Sequence, residues 1–154
     1  MKKLLFFLLV PLISLSQVTY KDIMSISTKN TFLKAMLDNK YSQMESDSSK
    51  LVFGLIPTED GKSTSFAYYY PNNRFEFQFT RTGIINKGKP NEEVVVRDNS
   101  YDTIYDIISE KCKLVSIREV DKKNYACYDC NKAKFDGLIG FTTSGQSGMV
   151  TSFK

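Results

Sequence analysis

The sequence predicts an α+β protein with helices packed on one face of an antiparallel β-meander. Two stretches, 28–40 and 100–111, space their apolar residues as a helix does. Short runs rich in Phe, Tyr, Val, Ile and Thr follow each of them, separated by Gly, Pro, Asn or Asp. The order is helix, three strands, linker, helix, four strands. It suggests two helix-plus-meander units in tandem, 17–80 and 100–154, with a linker at 81–99. A chain of 154 residues holds this as two small units or as one compact domain over 17–154. With 42% hydrophobic and 25% charged residues the balance is that of a globular protein, which excludes a disordered chain.

The first residues read as an address rather than as structure. Met1-Lys2-Lys3 is a basic start, Leu4 through Ile13 is apolar apart from Pro11, and Ser14-Leu15-Ser16 supplies small residues. This is the pattern of a secretory signal peptide over 1–16, cut before Gln17, and it predicts a secreted or periplasmic protein. The apolar run is shorter than the roughly 20 residues that span a bilayer, so no membrane anchor is expected after cleavage. Cleavage removes Lys2 and Lys3 and lowers the formal charge from +4 to +2. A nearly balanced chain without a Lys/Arg stripe is a poor match to nucleic acid, whose binding rests on phosphate neutralisation.

Residues 17–27 read as an arm with one helical turn near Tyr20–Met24. Thr28 caps the first helix, and Phe32, Leu33, Met36 and Leu37 form its apolar stripe. The polar segment 42–49 reads as a loop, and 50–56 as a strand closed by Pro57 and Glu59-Asp60-Gly61. Strands over 64–70 and 74–80 make a hairpin. A two-residue Asn72-Asn73 turn would oppose Tyr70 to Phe75, Tyr68 to Phe77 and Phe66 to Phe79. That register puts these six aromatics on the core face, and Tyr69, Arg74, Glu76 and Gln78 on the other. Pro71 fits this turn poorly, because it has no N–H for the ladder.

Gly83, Gly88 and Pro90 mark a linker over 81–92, followed by a short strand at 93–97. Ser100 caps the second helix, with Tyr101, Ile104, Tyr105 and Ile108 at helical spacing. Strands over 113–120, 123–130, 134–142 and 148–153 complete the chain, with turns at Asp121-Lys122, Asn131-Lys132 and 144–147.

Chemistry-bearing groups are few. There is no histidine, which excludes histidine-based triads, His-containing metal sites and imidazole pH switches. Glu59-Asp60 and Glu92-Glu93 lie in polar loops and read as solvated surface rather than as an acid–base pair. Ser144-Gly145-Gln146-Ser147-Gly148 lacks the Gly-Lys-Ser/Thr ending of a phosphate loop and reads as a hairpin turn. No catalytic constellation, cofactor or metal site is expected.

Cys112, Cys127 and Cys130 are the only cysteines. Cys127 and Cys130 have the C-x-x-C spacing of thiol oxidoreductases. On a strand, however, positions three apart point to opposite faces, and their Cα atoms lie about 10 Å apart, beyond bridging distance. A hairpin turn centred on Asp121 instead opposes Cys112 to Cys130, Val115 to Cys127 and Ile117 to Tyr125. A Cys112–Cys130 disulfide is therefore expected, with Cys127 buried as a small hydrophobe.

The stretches Tyr20-Lys21-Asp22-Ile23-Met24-Ser25-Ile26, Glu110-Lys111-Cys112, Asn124 through Cys130 and Gly137-Leu138-Ile139-Gly140-Phe141 resemble a family of uncharacterised small exported bacterial proteins. The tandem layout is similar to that of β-lactamase-inhibitor-like and BamE-like proteins. The first resemblance implies no activity, and the second implies protein binding through a sheet face. The expected function is that of an exported non-enzymatic binding protein, monomeric, with an extracytoplasmic protein or glycan as partner. Its contact face would hold Tyr69, Arg74, Glu76, Gln78, Arg118 and Tyr128. The alternatives are a thiol–disulfide oxidoreductase using Cys127 and Cys130, and an envelope structural or assembly factor that pairs through a sheet edge.

Overall fold

Two threonines start the described chain. Thr19 accepts a hydrogen bond from Asp22 N, and the Asp22 carboxylate accepts one from Thr19 N. Thr28 and Thr31 repeat the exchange. These reciprocal caps satisfy the N–H groups that a helix start leaves open. They begin α1 (Tyr20–Ser25) and α2 (Lys29–Asp38). Helix α2 ends as Lys40 takes a positive φ, so that Tyr41 N reaches Met36 O and Lys40 N reaches Leu37 O. Of the expected stripe, Phe32 and Met36 are buried and Leu33 is partly so. Leu37 faces solvent, and Ala35 takes its place in the core.

The structure is a computed structural model and describes residues 18–55, 65–80, 83–86, 93–96, 100–145 and 147–154, the two short pieces as paired strands only. The proposed signal peptide and the turn at Pro57 to Gly61 lie outside these residues. The remaining elements are β1 (Ser42–Ser46), β2 (Leu51–Leu55), β3 (Ser65–Tyr69), β4 (Phe75–Thr80), β5 (Gly83–Asn86), β6 (Glu93–Val96), α3 (Ser100–Lys111), β7 (Lys113–Val120), β8 (Lys123–Asp129), β9 (Leu138–Ser144) and β10 (Ser147–Phe153). Eight strands form one antiparallel sheet in the order β1-β2-β3-β4-β10-β9-β8-β7, and β5 pairs with β6 alone. Two four-strand meanders thus meet at their last strands, β4 and β10.

Two segments read as irregular are strands. Segment 42–46 was expected in a loop because it has no apolar alternation. It is an edge strand with every side chain exposed, so only its backbone pairing with β2 defines it. Residues 83–86 were expected in the linker. The β-branched pair Ile84-Ile85 suits a short strand, although Gly83 opens it.

Register decides which side chains meet. Phe53, Ala67, Phe77, Val150, Phe141, Ala126 and Ile117 are opposed in turn across seven strands. They mark one face, called here the Phe77 face. Tyr68, Glu76, Thr151, Gly140, Cys127 and Ser116 mark the other, the Glu76 face. The Phe32 ring of α2 lies 5.1–6.2 Å from the rings of Tyr69, Phe53 and Phe77. On α3, Tyr101 and Tyr105 lie 5.9 and 5.4 Å from Phe141. Gly148 makes room for Tyr101, whose ring occupies the place a Cβ would take.

The β3–β4 hairpin corrects the expected aromatic pairing. Tyr70 N donates to Arg74 O, and Asn73 N to Tyr70 O, which leaves a three-residue loop, Pro71-Asn72-Asn73, with Asn73 at φ 60°. Pro71 is a loop residue and owes the ladder nothing. The pairs are Tyr69–Phe75, Ala67–Phe77 and Ser65–Phe79, one residue away from the expected register. A one-residue shift exchanges faces. Tyr69 therefore joins the core at 4% exposure, while Phe66, Tyr68 and Tyr70 line the Glu76 face.

The β7–β8 hairpin departs from expectation twice, and the two departures cancel. Asp121 and Lys122 both have positive φ and form a two-residue turn, which opposes Val120 to Lys123 and Ile117 to Ala126. A bulge between Leu114 and Ser116 then restores the expected alignment toward the hairpin's open end. Cys112 and Cys130 meet there with Cα atoms 4.7 Å apart and form the disulfide. Cys127 is opposite Ser116, not Val115. The expected apolar face of Val115 and Ile117 does not form: Leu114, Val115 and Ile117 are exposed, Ile117 at 72%.

Candidate binding face

Four of the six expected contact residues share the Glu76 face. Arg74, Glu76 and Gln78 alternate along the central strand β4 and its start. Arg118 reaches the same face from β7, opposite Tyr125, and donates to the Lys154 carbonyl at 3.2 Å. The other two are corrected. Tyr69 and Tyr128, 4% and 5% exposed, sit on the Phe77 face in the core and offer no surface contact. For Tyr69 the cause is the hairpin shift, and its hydroxyl donates to Asn73 Oδ1 at 2.6 Å. Tyr128 packs its ring on Tyr105 and Phe141. Burial, followed by its contact with the Tyr105 hydroxyl, pushes its pKa up to about 12.

Around Glu76 the face closes into a cavity of about 210 Å³, walled among others by Tyr70, Arg74, Glu76, Tyr125, Thr151 and Phe153. Arg74 lays its guanidinium on the Tyr70 ring, 4.3 Å from the centroid, and its Nη2 donates to Glu76 Oε2 at 3.3 Å. Phe153 crosses over Gly140, where any Cβ would collide with its ring, and meets the Tyr125 ring edge-on at 5.3 Å. Gly140 is thus what lets β10 place an aromatic wall across β9.

The electrostatics of the cavity are set by desolvation. Burial raises the Glu76 pKa, and the neighbouring Arg74 is the strongest influence opposing it. Burial likewise raises Tyr70 and Tyr125, with the Glu76 charge adding to both. Two polar atoms in this wall are buried without a hydrogen-bond partner, Arg74 Nε and Thr151 Oγ1. Thr151 is 2% exposed. Its hydroxyl lies close enough to Glu76 and Tyr125 to lower the pKa of both a little, yet meets the geometry of a full bond with neither. Buried polar atoms of this kind are uncommon and point to a missing partner.

Sequence reasoning missed Thr151, Tyr125, Tyr70 and Phe153. Tyr70 becomes legible once Pro71 is placed inside the loop, because Tyr70 then opposes Arg74 on the Glu76 face. Nothing local distinguishes Thr151 from any other strand threonine. It matters only because β4 and β10, 75 residues apart along the chain at Glu76 and Thr151, are neighbours.

Cys127 and Cys130 are not bonded to each other. Cys130 is bonded to Cys112 on the Phe77 face, and Cys127 is fully buried on the Glu76 face with its pKa raised chiefly by burial. Among the described residues no cluster of His, Cys, Asp or Glu is arranged to hold a metal ion, and no helix is long and apolar enough to cross a membrane. Comparison with known protein families, curated proteins and solved structures finds no match to this chain.

Proposed function

We propose that the protein works outside the cytoplasm, secreted or periplasmic, as a non-enzymatic binding protein whose contact surface is the Glu76 face. In this reading the helices cover the Phe77 face alone, and 17–80 and 100–154 are tandem units sharing one sheet. The ring contacts of Phe32, Tyr101 and Tyr105 with Phe77-face residues support it, as does the meeting of the two meanders at β4 and β10. A disulfide is at home in an oxidising compartment. The observation that carries the reading is one partly enclosed, polar and aromatic hollow lined by Arg74 and Glu76, with Gln78 and Arg118 on the same sheet face outside it. Immobilised mature chain should retain a protein or glycan from envelope extract, and Gln78→Ala with Arg118→Ala should abolish retention. Retention that is unchanged in the double variant rejects this face.

A second reading, an assembly factor that pairs through a sheet edge, is favoured by exposed Leu114, Val115 and Ile117 on edge strand β7. It requires oligomers on size exclusion, whereas the first reading requires a monomer.

A further inference from the structure

We infer that the cavity on the Glu76 face is a subsite for one neutral sugar ring of a glycan; the inference rests on the binding reading above and specifies its ligand. The wall has unused hydrogen-bonding capacity of both signs. Arg74 Nε is a donor without an acceptor, and Thr151 Oγ1 is unpaired and can act as either. Glu76 beside them accepts only. A sugar hydroxyl donates and accepts at one atom, so a pair of neighbouring hydroxyls can satisfy such a set.

Charge selects against ionic ligands. The lining holds two cations, Arg74 and Lys123, and two anions, Glu76 and Asp121. An anion that approached Arg74 would also meet the Glu76 carboxylate, 3.3 Å from the Arg74 nitrogen. A cation would meet the reverse. A neutral ligand avoids both penalties.

Shape and surface agree with this. The rings of Tyr125 and Phe153 give the hollow apolar walls against which the C–H face of a sugar can lie. Its volume of about 210 Å³ is below the roughly 300–1,000 Å³ of pockets for drug-sized ligands. One ring fits, and the rest of a glycan would run over Gln78 and Arg118 outside.

The test is a nuclear magnetic resonance titration of the mature chain with glucose, galactose, mannose and N-acetylglucosamine at millimolar concentration. At least one sugar should saturably shift the Arg74 Nε–H signal and the ring signals of Tyr70, Tyr125 and Phe153. Thr151→Val and Glu76→Gln should each weaken that binding by about tenfold or more, equivalent to about 1.4 kcal/mol. Undisturbed core signals such as Ile139 and Phe77 confirm that a variant is folded. Two variants are used so that a folding failure in one leaves the other decisive. The inference is overturned if no sugar moves these signals, or if the shifts persist unweakened in the folded variants. The two levels separate cleanly. If the sugars fail while Gln78→Ala with Arg118→Ala still abolishes retention of a protein, the face stands and the sugar subsite falls. If the sugars bind but that double variant changes nothing, the pocket stands and the wider face falls.

Discussion

The β3–β4 and β7–β8 hairpins solve the same problem in opposite ways. The first is central, with strands on both sides, and alternates strictly: Phe75, Phe77 and Phe79 are buried while Glu76, Gln78 and Thr80 are not. It contains no bulge, and its only irregular geometry is confined to Asn73 in the loop. The second hairpin ends the sheet. It carries a bulge at Val115, exposes three large apolar side chains, and is fastened at its open end by the Cys112–Cys130 bridge. A central hairpin is held in register by what it buries on both neighbours. An edge hairpin has one neighbour fewer and uses a covalent link instead.

Five variants test this contrast. The largest effect is expected from Phe77→Ala, which removes a fully buried ring touching Phe32, Phe75 and Phe79. Urea unfolding should show a loss of about 3–5 kcal/mol. A loss much under that would mean the central hairpin is not held by its aromatic face. Next is Cys112→Ser with Cys130→Ser, which opens a loop of 18 residues in sequence separation and should lower stability by about 3 kcal/mol. If this double variant unfolds the β7–β8 amides in hydrogen exchange before the β3–β4 amides, the division of labour is sharpened; simultaneous loss breaks it.

Turn chemistry gives smaller effects. Lys122 has φ 62°, a conformation disfavoured for residues with a Cβ, so Lys122→Gly should stabilise by about 0.5–1 kcal/mol. Asn73 also has a positive φ, but its side chain accepts the buried Tyr69 hydroxyl, so Asn73→Gly should gain nothing and instead lose stability. Thermal melts of the two variants should therefore move in opposite directions.

The smallest effect is a pH dependence at Glu76. Burial raises its folded-state pKa, so the folded protein binds this proton more tightly than the unfolded chain does. Stability from this group is then gained as pH falls through the raised pKa toward the ordinary carboxylate range, and lost as pH rises again. Glu76→Gln should accordingly melt higher than the parent at neutral pH, with the difference closing in acid. A parent that instead melts higher than Glu76→Gln at neutral pH, and loses that lead in acid, would mean that the Arg74 contact outweighs burial.

Much of the fold is readable residue by residue. Thr28 and the spacing of Phe32, Met36, Ile104 and Ile108 mark the helices because capping and periodicity are local. The Cys112–Cys130 link is legible through strand geometry, because the two-residue turn moves the pairing by one position and the bulge moves it back. What failed was register and edge. Tyr69 was placed on the surface because a three-residue loop and a two-residue turn differ by one position, and one position is a whole face. Strand β1 was invisible because all five of its side chains are wet. The candidate cavity was half legible: Arg74 and Glu76 lie on one strand, whereas Thr151 comes from a strand that pairs with it only in the finished sheet.

The sheet also acts as a partition between sulfurs. Cys127 and Cys130 are near neighbours in the chain, yet in the folded protein the backbone layer keeps the lone thiol on one side and the bridge on the other. Before β8 is paired, nothing separates them, and three thiols admit three alternative links. Oxidation that follows sheet formation in this corner of the molecule favours the native link. A cell that makes the protein needs either slow oxidant delivery or a means of exchanging early mistakes.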